Sequence, residues 1–250
     1  MPPFGNDLDF GSAGAMLIPD SELANWNYLA VSGDKEAGLW FVDRTNPGGH
    51  LTSCDGNCTC TTTNTNIVQM FSTGNHLIHT SPAFWENDVV THPAQNYIYV
   101  APYGSQLTQY PLCGLATDAQ PICSRSVPRG SVDGNGHAVK FPWGVTPTIS
   151  ASGTETVPDA IVWALSVGDT QNPSNPLSQV PGILYAFDAM TMQELYSSNN
   201  PCTNDAINPA TKFSVPTVAN GYVYVGTESD NVNTIGKGTF YVFGPGRTGC

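Results

Sequence analysis

The sequence has little charge, and most of that charge is negative. Only 11% of its 250 residues are charged, against roughly a quarter in an average soluble domain. Eight Lys and Arg stand against 20 Asp and Glu, for a formal net charge of −12. This excludes the basic stripe that a nucleic acid needs and disfavours an anionic membrane surface. Small molecules, polysaccharides and proteins remain as partner classes.

Long apolar runs are absent as well. No stretch of about 18 apolar residues occurs, so no segment is predicted to span a membrane. Residues Met1 to Gly5 do not resemble a signal peptide. Helical periodicity is also nearly absent, whereas 25 Gly and 20 Pro indicate dense turns. The chain is therefore predicted to be all-β.

Seven cysteines suggest an oxidising compartment, hence a secreted or periplasmic protein. Cys113 and Cys123 flank a short loop and are predicted to form a disulfide. Three others crowd into a loop over residues 44–66, at Cys54, Cys58 and Cys60. Their spacing differs from the usual C-x2-C pair of zinc sites, and no His follows at finger spacing, which favours disulfides over a metal.

A short segment recurs along the chain, in which a small residue and Pro precede alternating apolar residues. Its central positions are 14, 82, 147 and 216, which lie 68, 65 and 69 residues apart. Position 14 carries Gly where the other three carry Pro. The four copies are Ala13-Gly14-Ala15-Met16, Ser81-Pro82-Ala83-Phe84, Thr146-Pro147-Thr148-Ile149 and Val215-Pro216-Thr217-Val218.

Two further strand-like runs follow each copy, and a fourth run closes the first and third units. In the second unit the fourth run is weak, near Ser124 to Val127, and the last unit ends after its third run. Tandem units of three or four short strands are the signature of propeller blades. We therefore predict one β-propeller domain over residues 1–250, with four blades near 9–72, 73–127, 128–198 and 199–250, forming an incomplete ring.

Several stretches resemble the PQQ-like propeller repeats of quinoprotein-type proteins. Residues 186–196 (AFDAMTMQELY) resemble the blade signature A-x-D-x-x-T-G-x-x-x-W, with Met192 for the Gly and Tyr196 for the Trp. Residues 212–227 (KFSVPTVANGYVYVGT) are similar to the final blade of that family. The resemblance is specific for the repeat type and not for an activity.

The resemblance also implies candidate site residues. In quinoprotein alcohol dehydrogenases an Asp is the base and a Lys or Arg contacts the quinone oxygens. Residues 35–44 (KEAGLWFVDR) are similar to the stretch that carries this cation. The resemblance thus implies Lys35 on the quinone, Asp7 (or Asp9) as base, and PQQ with calcium as cofactors. Trp143 is a candidate for stacking on a flat cofactor.

No complete catalytic set is visible, because the calcium ligands of such enzymes have no counterpart here and Asn6 replaces the Trp that precedes their base. The leading expectation is a non-catalytic, extracytoplasmic propeller that binds through its loop surface. The alternatives are a fragment of a PQQ-dependent dehydrogenase and a carbohydrate-binding surface protein. An incomplete ring also predicts self-association through open blade edges.

Overall fold

A computed structural model describes residues 9, 11–19, 28–46, 67–74, 76–87, 95–113, 120–122, 127–152, 159–167, 180–202, 204–228 and 237–245. Across these residues the chain is all-β, as predicted, with 17 strands and no helix. No described segment is therefore a helix that could cross a membrane. Asp7, Cys123 and most of the 44–66 loop lie outside the described residues.

Four antiparallel sheets follow one another along the chain, and in each the strands adjoin in sequence order. Sheet 1 contains β1 (Met16–Leu17), β2 (Leu29–Gly33), β3 (Gly38–Asp43) and β4 (Ile67–Ser72). Sheet 2 contains β5 (Ala83–Asn87), β6 (Gln95–Val100), β8 (Thr108–Pro111) and β9 (Arg129–Gly130). Sheet 3 contains β11 (Thr148–Ser150), β12 (Ile161–Ser166), β13 (Ile183–Asp188) and β14 (Glu194–Ser197). Sheet 4 contains β15 (Thr217–Ala219), β16 (Tyr222–Thr227) and β17 (Thr239–Phe243).

The predicted strand runs are confirmed in place and order, with small shifts at their ends. The fourth strand of sheet 2 lies at Arg129–Gly130, after the predicted 124–127. One element was not predicted: β7 (Ser105–Gln106) and β10 (Lys140–Phe141) form a two-stranded ribbon between sheets 2 and 3. Within the described residues sheet 4 has three strands, as its three sequence runs indicate.

The core consists of three apolar clusters, and each cluster lies between two consecutive sheets. The strands of the two middle sheets are buried on both faces. In β6, Ile98 packs in the cluster shared with sheet 1 and Tyr99 packs in the cluster shared with sheet 3. In the same way β12 sends Val162 toward sheet 2 and Leu165 toward sheet 4. Because successive side chains of a strand point to opposite faces, the sheets stack in series, face against face.

Hydroxyl groups connect the first strands of neighbouring sheets at repeated positions. The Gly14 amide donates to Ser81 Oγ at 3.1 Å, and the Ser81 amide donates to Thr146 Oγ1 at 3.1 Å. Thr148 Oγ1 then donates to the Pro216 carbonyl at 2.7 Å. Each bond spans nearly one repeat of sequence, so equivalent positions of successive units lie side by side.

Aspartates stabilise several turns by accepting backbone N–H groups. In the β2–β3 turn, Asp34 Oδ1 accepts from the amides of Glu36 at 2.8 Å and Gly38 at 2.7 Å. Its other oxygen, Oδ2, accepts from the Trp40 indole at 2.5 Å, and the Asp34 side chain is buried. Asp133 makes the same pair of backbone contacts in an exposed turn. Such Asx turns hold the loop in one conformation through hydrogen bonds from backbone N–H groups to the aspartate side chain.

Candidate functional site

Cationic and aromatic side chains meet where the chain approaches the first strands of sheets 2, 3 and 4. His79 lies four residues before β5, Trp143 five before β11, and Lys212 and Phe213 shortly before β15. Because the first strands of these sheets adjoin, the equivalent approaches also adjoin. With Tyr103, from the loop after β6, these residues form what we call the Lys212 cluster.

Lys212 and Trp143 form the centre of the cluster. The Lys212 ammonium lies 3.3 Å from the centroid of the Trp143 ring, a close cation–π contact. Burial lowers the pKa of Lys212, because desolvation disfavours its charged form. Among the described residues no carboxylate lies within salt-bridge distance of this ammonium. The Trp143 indole N–H is buried and has no hydrogen-bond acceptor in the described part of the chain.

His79 closes the cluster on the side of sheet 2. Its Nε2–H donates to the Trp143 carbonyl at 2.8 Å, and its ring lies 5.8 Å from the Phe213 ring and 6.0 Å from the Tyr103 ring. Burial holds the pKa of His79 below its usual 6.5, and the positive charges of Lys212 and Lys35 lower it further. The ring is therefore neutral near pH 7.

Phe213 has a strained backbone at this site. Its φ is +66°, a left-handed conformation that is rare for a bulky side chain, and 65% of the side chain is exposed. Strain of this kind is a recognised mark of functional sites.

The predicted quinone-site residues are partly brought together. Lys35 is close enough to lower the pKa of His79 by its charge, but its Nζ already contacts Asp9 Oδ2 at 2.9 Å. Lys212 covers one face of Trp143, and Tyr103 meets that ring edge-on at 5.3 Å. The described residues therefore do not present a flat slot for a planar quinone at Trp143.

Metal ligands do not cluster in the residues that the structure describes, where no group of three or more His, Cys, Asp or Glu side chains could hold an ion. The exposed Asp133 turn is closed by its own backbone amides, and its carboxylate also lies 3.3 Å from His137 Nδ1. The backbone amide of His137 supplies the main reason that the pKa of Asp133 is low.

Sequence reasoning identified Trp143 and Lys35 but missed Lys212, Phe213, His79 and Tyr103 as one site. A signal was present in the repeat itself. His79, Gly144 and Phe213 each lie three residues before the recurring Pro of their unit. Residues at the same repeat position are expected to lie next to each other when the units stack. The position three residues before the Pro therefore indicates where side chains of several units meet.

We predict that Phe213→Gly makes the protein more stable. Glycine adopts a positive φ without the penalty of about 1–2 kcal/mol that a Cβ incurs, and its greater freedom in the unfolded chain offsets part of this gain. The expected net increase in the free energy of unfolding is about 0.5–1 kcal/mol. Denaturant unfolding measures it. Asn220→Gly is the matched control, because Asn220 has a φ of +52° and asparagine tolerates this conformation. If Asn220→Gly raised the free energy of unfolding as much as Phe213→Gly does, the backbone of Phe213 would not be strained.

We also predict a pH effect from His79. The folded state holds the ring neutral, so it binds fewer protons than the unfolded chain between the lowered pKa and 6.5. Stability from this group is complete above pH 6.5 and is lost as the pH falls through the folded-state pKa. His79→Gln should reduce the slope of the free energy of unfolding against pH in this range. His76→Gln, at an exposed position of the same segment, should leave the slope unchanged. Equal slopes in wild type and His79→Gln would contradict the prediction.

Comparison with known proteins gives no family assignment: no family model matches the chain, and no curated protein matches it at a significant level.

Proposed function

We propose that this chain is an extracytoplasmic, non-catalytic binding protein of PQQ-like β-propeller repeats. It binds a small anionic ligand with an apolar or aromatic body at the Lys212 cluster. The ligand's negative group pairs with the Lys212 ammonium, and its body lies against Phe213 and the other aromatic rings.

The propeller arrangement is supported by three features of the described residues. The four meander sheets stack in sequence, each core cluster joins only consecutive sheets, and hydroxyl bonds connect their first strands at repeated positions. A β-sandwich would have two sheets facing one shared core. Serial stacking with first strands adjoining is the arrangement expected of blades.

The Lys212 ammonium, which has no carboxylate partner among the described residues, carries the ligand proposal. A chain with 20 acidic residues and eight Lys and Arg could readily have paired this cation with a carboxylate. Instead the ammonium is partly desolvated against an indole ring, and the buried N–H of that ring has no acceptor within the part of the chain that the structure describes. Such groups are costly unless a partner satisfies them. An anion with hydrogen-bond acceptors is the partner that satisfies both.

A neutral sugar is less well matched to this geometry. Sugar binding by aromatic residues needs an open ring face, and Lys212 covers that face of Trp143. Phe213 remains exposed, but the Lys212 cation precedes it directly in the cluster. Charge therefore favours an anionic ligand over a polysaccharide.

Calorimetric titration with benzoate and with a benzene polycarboxylate tests the proposal. We expect Lys212→Gln to weaken binding of these probes about tenfold, the equivalent of one charge-assisted hydrogen bond. Lys140→Gln is the control, because Lys140 is exposed on β10 and is not among the residues that line the pocket at Trp143, Lys212 and Phe213. Binding to wild type should also weaken as salt rises.

Two results would reject the ligand site. One is no heat of binding for either probe with wild type. The other is equal weakening by Lys212→Gln and Lys140→Gln, since that would indicate a general charge effect and not a site. Phe213→Gly adds a second readout, because it is expected to bind the probes less tightly while unfolding at higher denaturant.

The quinone-dependent alternative that the resemblance implies is tested in the same cell. PQQ added with calcium would produce a bound-quinone absorbance and dye reduction with alcohols if Lys35 and Asp7 formed such a site. Binding of PQQ without dye reduction, and weakened by Lys212→Gln, would instead support the proposed anion site.

The predicted bridge between Cys113 and Cys123 bears on the compartment. Cys113 is buried at the end of sheet 2, and its amide donates to the Pro121 carbonyl at 2.8 Å, which brings the returning chain close. We expect peptide mapping without reduction to recover residues 113 and 123 in one linked peptide pair. Recovery of both as free thiols would remove the support for an oxidising compartment.

A further inference from the structure

The two sheets at the ends of the series each have one apolar face against which no other sheet of the described residues packs. On sheet 4 this outward face includes Tyr222, Phe240 and Val242, which are 44%, 67% and 53% exposed. On sheet 1 it includes Leu17 and Met70, which are 60% and 53% exposed. Exposed apolar side chains on the outer face of a sheet are typical of interaction surfaces.

The repeat shows what should cover the face of sheet 4. In sheet 2, Phe84 pairs with Ile98, and in sheet 4, Val218 pairs with Val223, which places the two sheets in the same register. Tyr97 and Tyr99 therefore correspond to Tyr222 and Tyr224. The first pair is buried beneath sheet 3, with exposed fractions of 1% and 0%, whereas Tyr222 and Tyr224 face outward.

The contact that buries the first pair is also specific. Tyr99 Oη donates to the Ala189 carbonyl of the next unit at 2.8 Å. Tyr224 is already ordered on its own sheet, stacked on Phe240 with ring centroids 5.9 Å apart. The face is thus built to receive another sheet, with a phenol placed to donate to that sheet's backbone.

The outward face of sheet 1 has the matching chemistry. Trp40 pairs across strands with Met70, and Leu17 pairs with Ala30, so these side chains share the face opposite the core. No strand position on either outward face carries a charged side chain. The outward positions of sheet 1 are Leu17, Ala30, Ser32, Gly38, Trp40, Val42, Ile67, Met70 and Ser72, and those of sheet 4 are Thr217, Ala219, Tyr222, Tyr224, Gly226, Phe240 and Val242.

Charge at the margin of sheet 1 follows the pattern of an interface rim. Arg44 lies over the Tyr28 ring at 5.1 Å, directly after Asp43, the last residue of β3. A charge-free centre with charged residues at the rim is the usual composition of a protein–protein interface.

We infer that the two faces are the halves of one interface, in which the outward face of sheet 4 stacks on the outward face of sheet 1 of a second copy. A two-fold axis repeats the contact, so each copy covers both open faces of the other and the pair is closed. The inference depends on the observed serial stacking and not on ligand binding at the Lys212 cluster.

The test is the mass in solution, measured by light scattering after gel filtration. We expect wild type at twice the 26.5 kDa of the chain. Phe240→Lys and Met70→Glu should each give monomers, because a charge is then buried in the apolar contact. Val127→Lys is the control at an apolar position that is 66% exposed and outside both faces, and it should remain a dimer.

Mixing the two variants distinguishes the head-to-tail pair from other assemblies. A mixed pair of Phe240→Lys and Met70→Glu has one unaltered contact and one in which the new lysine faces the new glutamate, so the mixture should regain dimers. If either variant fails to fold, Val242→Lys and Leu17→Glu replace them on the same faces. A monomeric wild type, dissociation by only one face's variant, open-ended growth, or a mixture that stays monomeric would each overturn the inference.

Discussion

Phe187→Ala is expected to lower the free energy of unfolding by about 3–5 kcal/mol, the range for removing a buried aromatic ring. Phe187 is fully buried between sheets 2 and 3, where it stacks on Tyr185 at 5.6 Å and meets Phe141 edge-on at 6.4 Å. Rigid strands on both sides cannot collapse into the space, so most of the cavity should persist.

Denaturant unfolding, followed by Trp fluorescence and by far-ultraviolet circular dichroism, measures this loss. Leu195→Ala is the control, because Leu195 lies on the next strand, β14, but is 58% exposed. Leu195→Ala should lower the free energy of unfolding only slightly. A Phe187→Ala cost below that of Leu195→Ala would show that sheets 2 and 3 do not share the close-packed core described above.

Asp34→Ala is expected to have the second large effect. It should lower the free energy of unfolding by about 3–4 kcal/mol, because several hydrogen bonds to a buried carboxylate are lost. Removing the carboxylate leaves the amides of Glu36 and Gly38 and the indole N–H of Trp40 without their acceptor. Glycine at position 38 is needed for this approach, since a Cβ there would lie 2.7 Å from Asp34 Oδ2.

Asp34→Asn separates the backbone contacts from the indole contact. An amide oxygen can still accept from the two backbone N–H groups, but the amide nitrogen would then face the Trp40 donor. We expect a loss of about 1–3 kcal/mol, the cost of one unsatisfied buried donor. Asp133→Ala is the matched control, because its turn has the same backbone contacts but is exposed. Equal losses for Asp34→Ala and Asp133→Ala would contradict the role assigned to burial.

The strands could be predicted because their signal is local. Runs such as Tyr222–Val225 combine β-branched and aromatic residues, and Asn220-Gly221 marks a tight hairpin turn. In the structure both turn residues have positive φ, at 52° and 78°. Strands without apolar residues gave no such signal: Ser105–Gln106 and Arg129–Gly130 are polar pairs that form strands only because a partner strand adjoins them.

The Lys212 cluster could not be assembled from local patterns. Its contacts join residues far apart in sequence, such as the 64 residues between His79 and Trp143. A lysine before a strand is an ordinary surface residue unless stacking brings an indole beneath it. The backbone at Met192 could not be predicted from local patterns either. The family that the sequence resembles has Gly at this position, and the buried Met192 keeps a positive φ of 61°.

The hydroxyl bonds between first strands have a consequence for how the molecule opens. Because each of them joins only adjacent units, protection of backbone amides against exchange with deuterium should be graded along the series and not uniform. Strands β6 and β12, enclosed on both faces, should exchange slowest. Strand β17, at an edge and covered on one face, should exchange first, and the isolated chain should fray from that edge inward. Stacking of a second copy would slow exchange in β17 most.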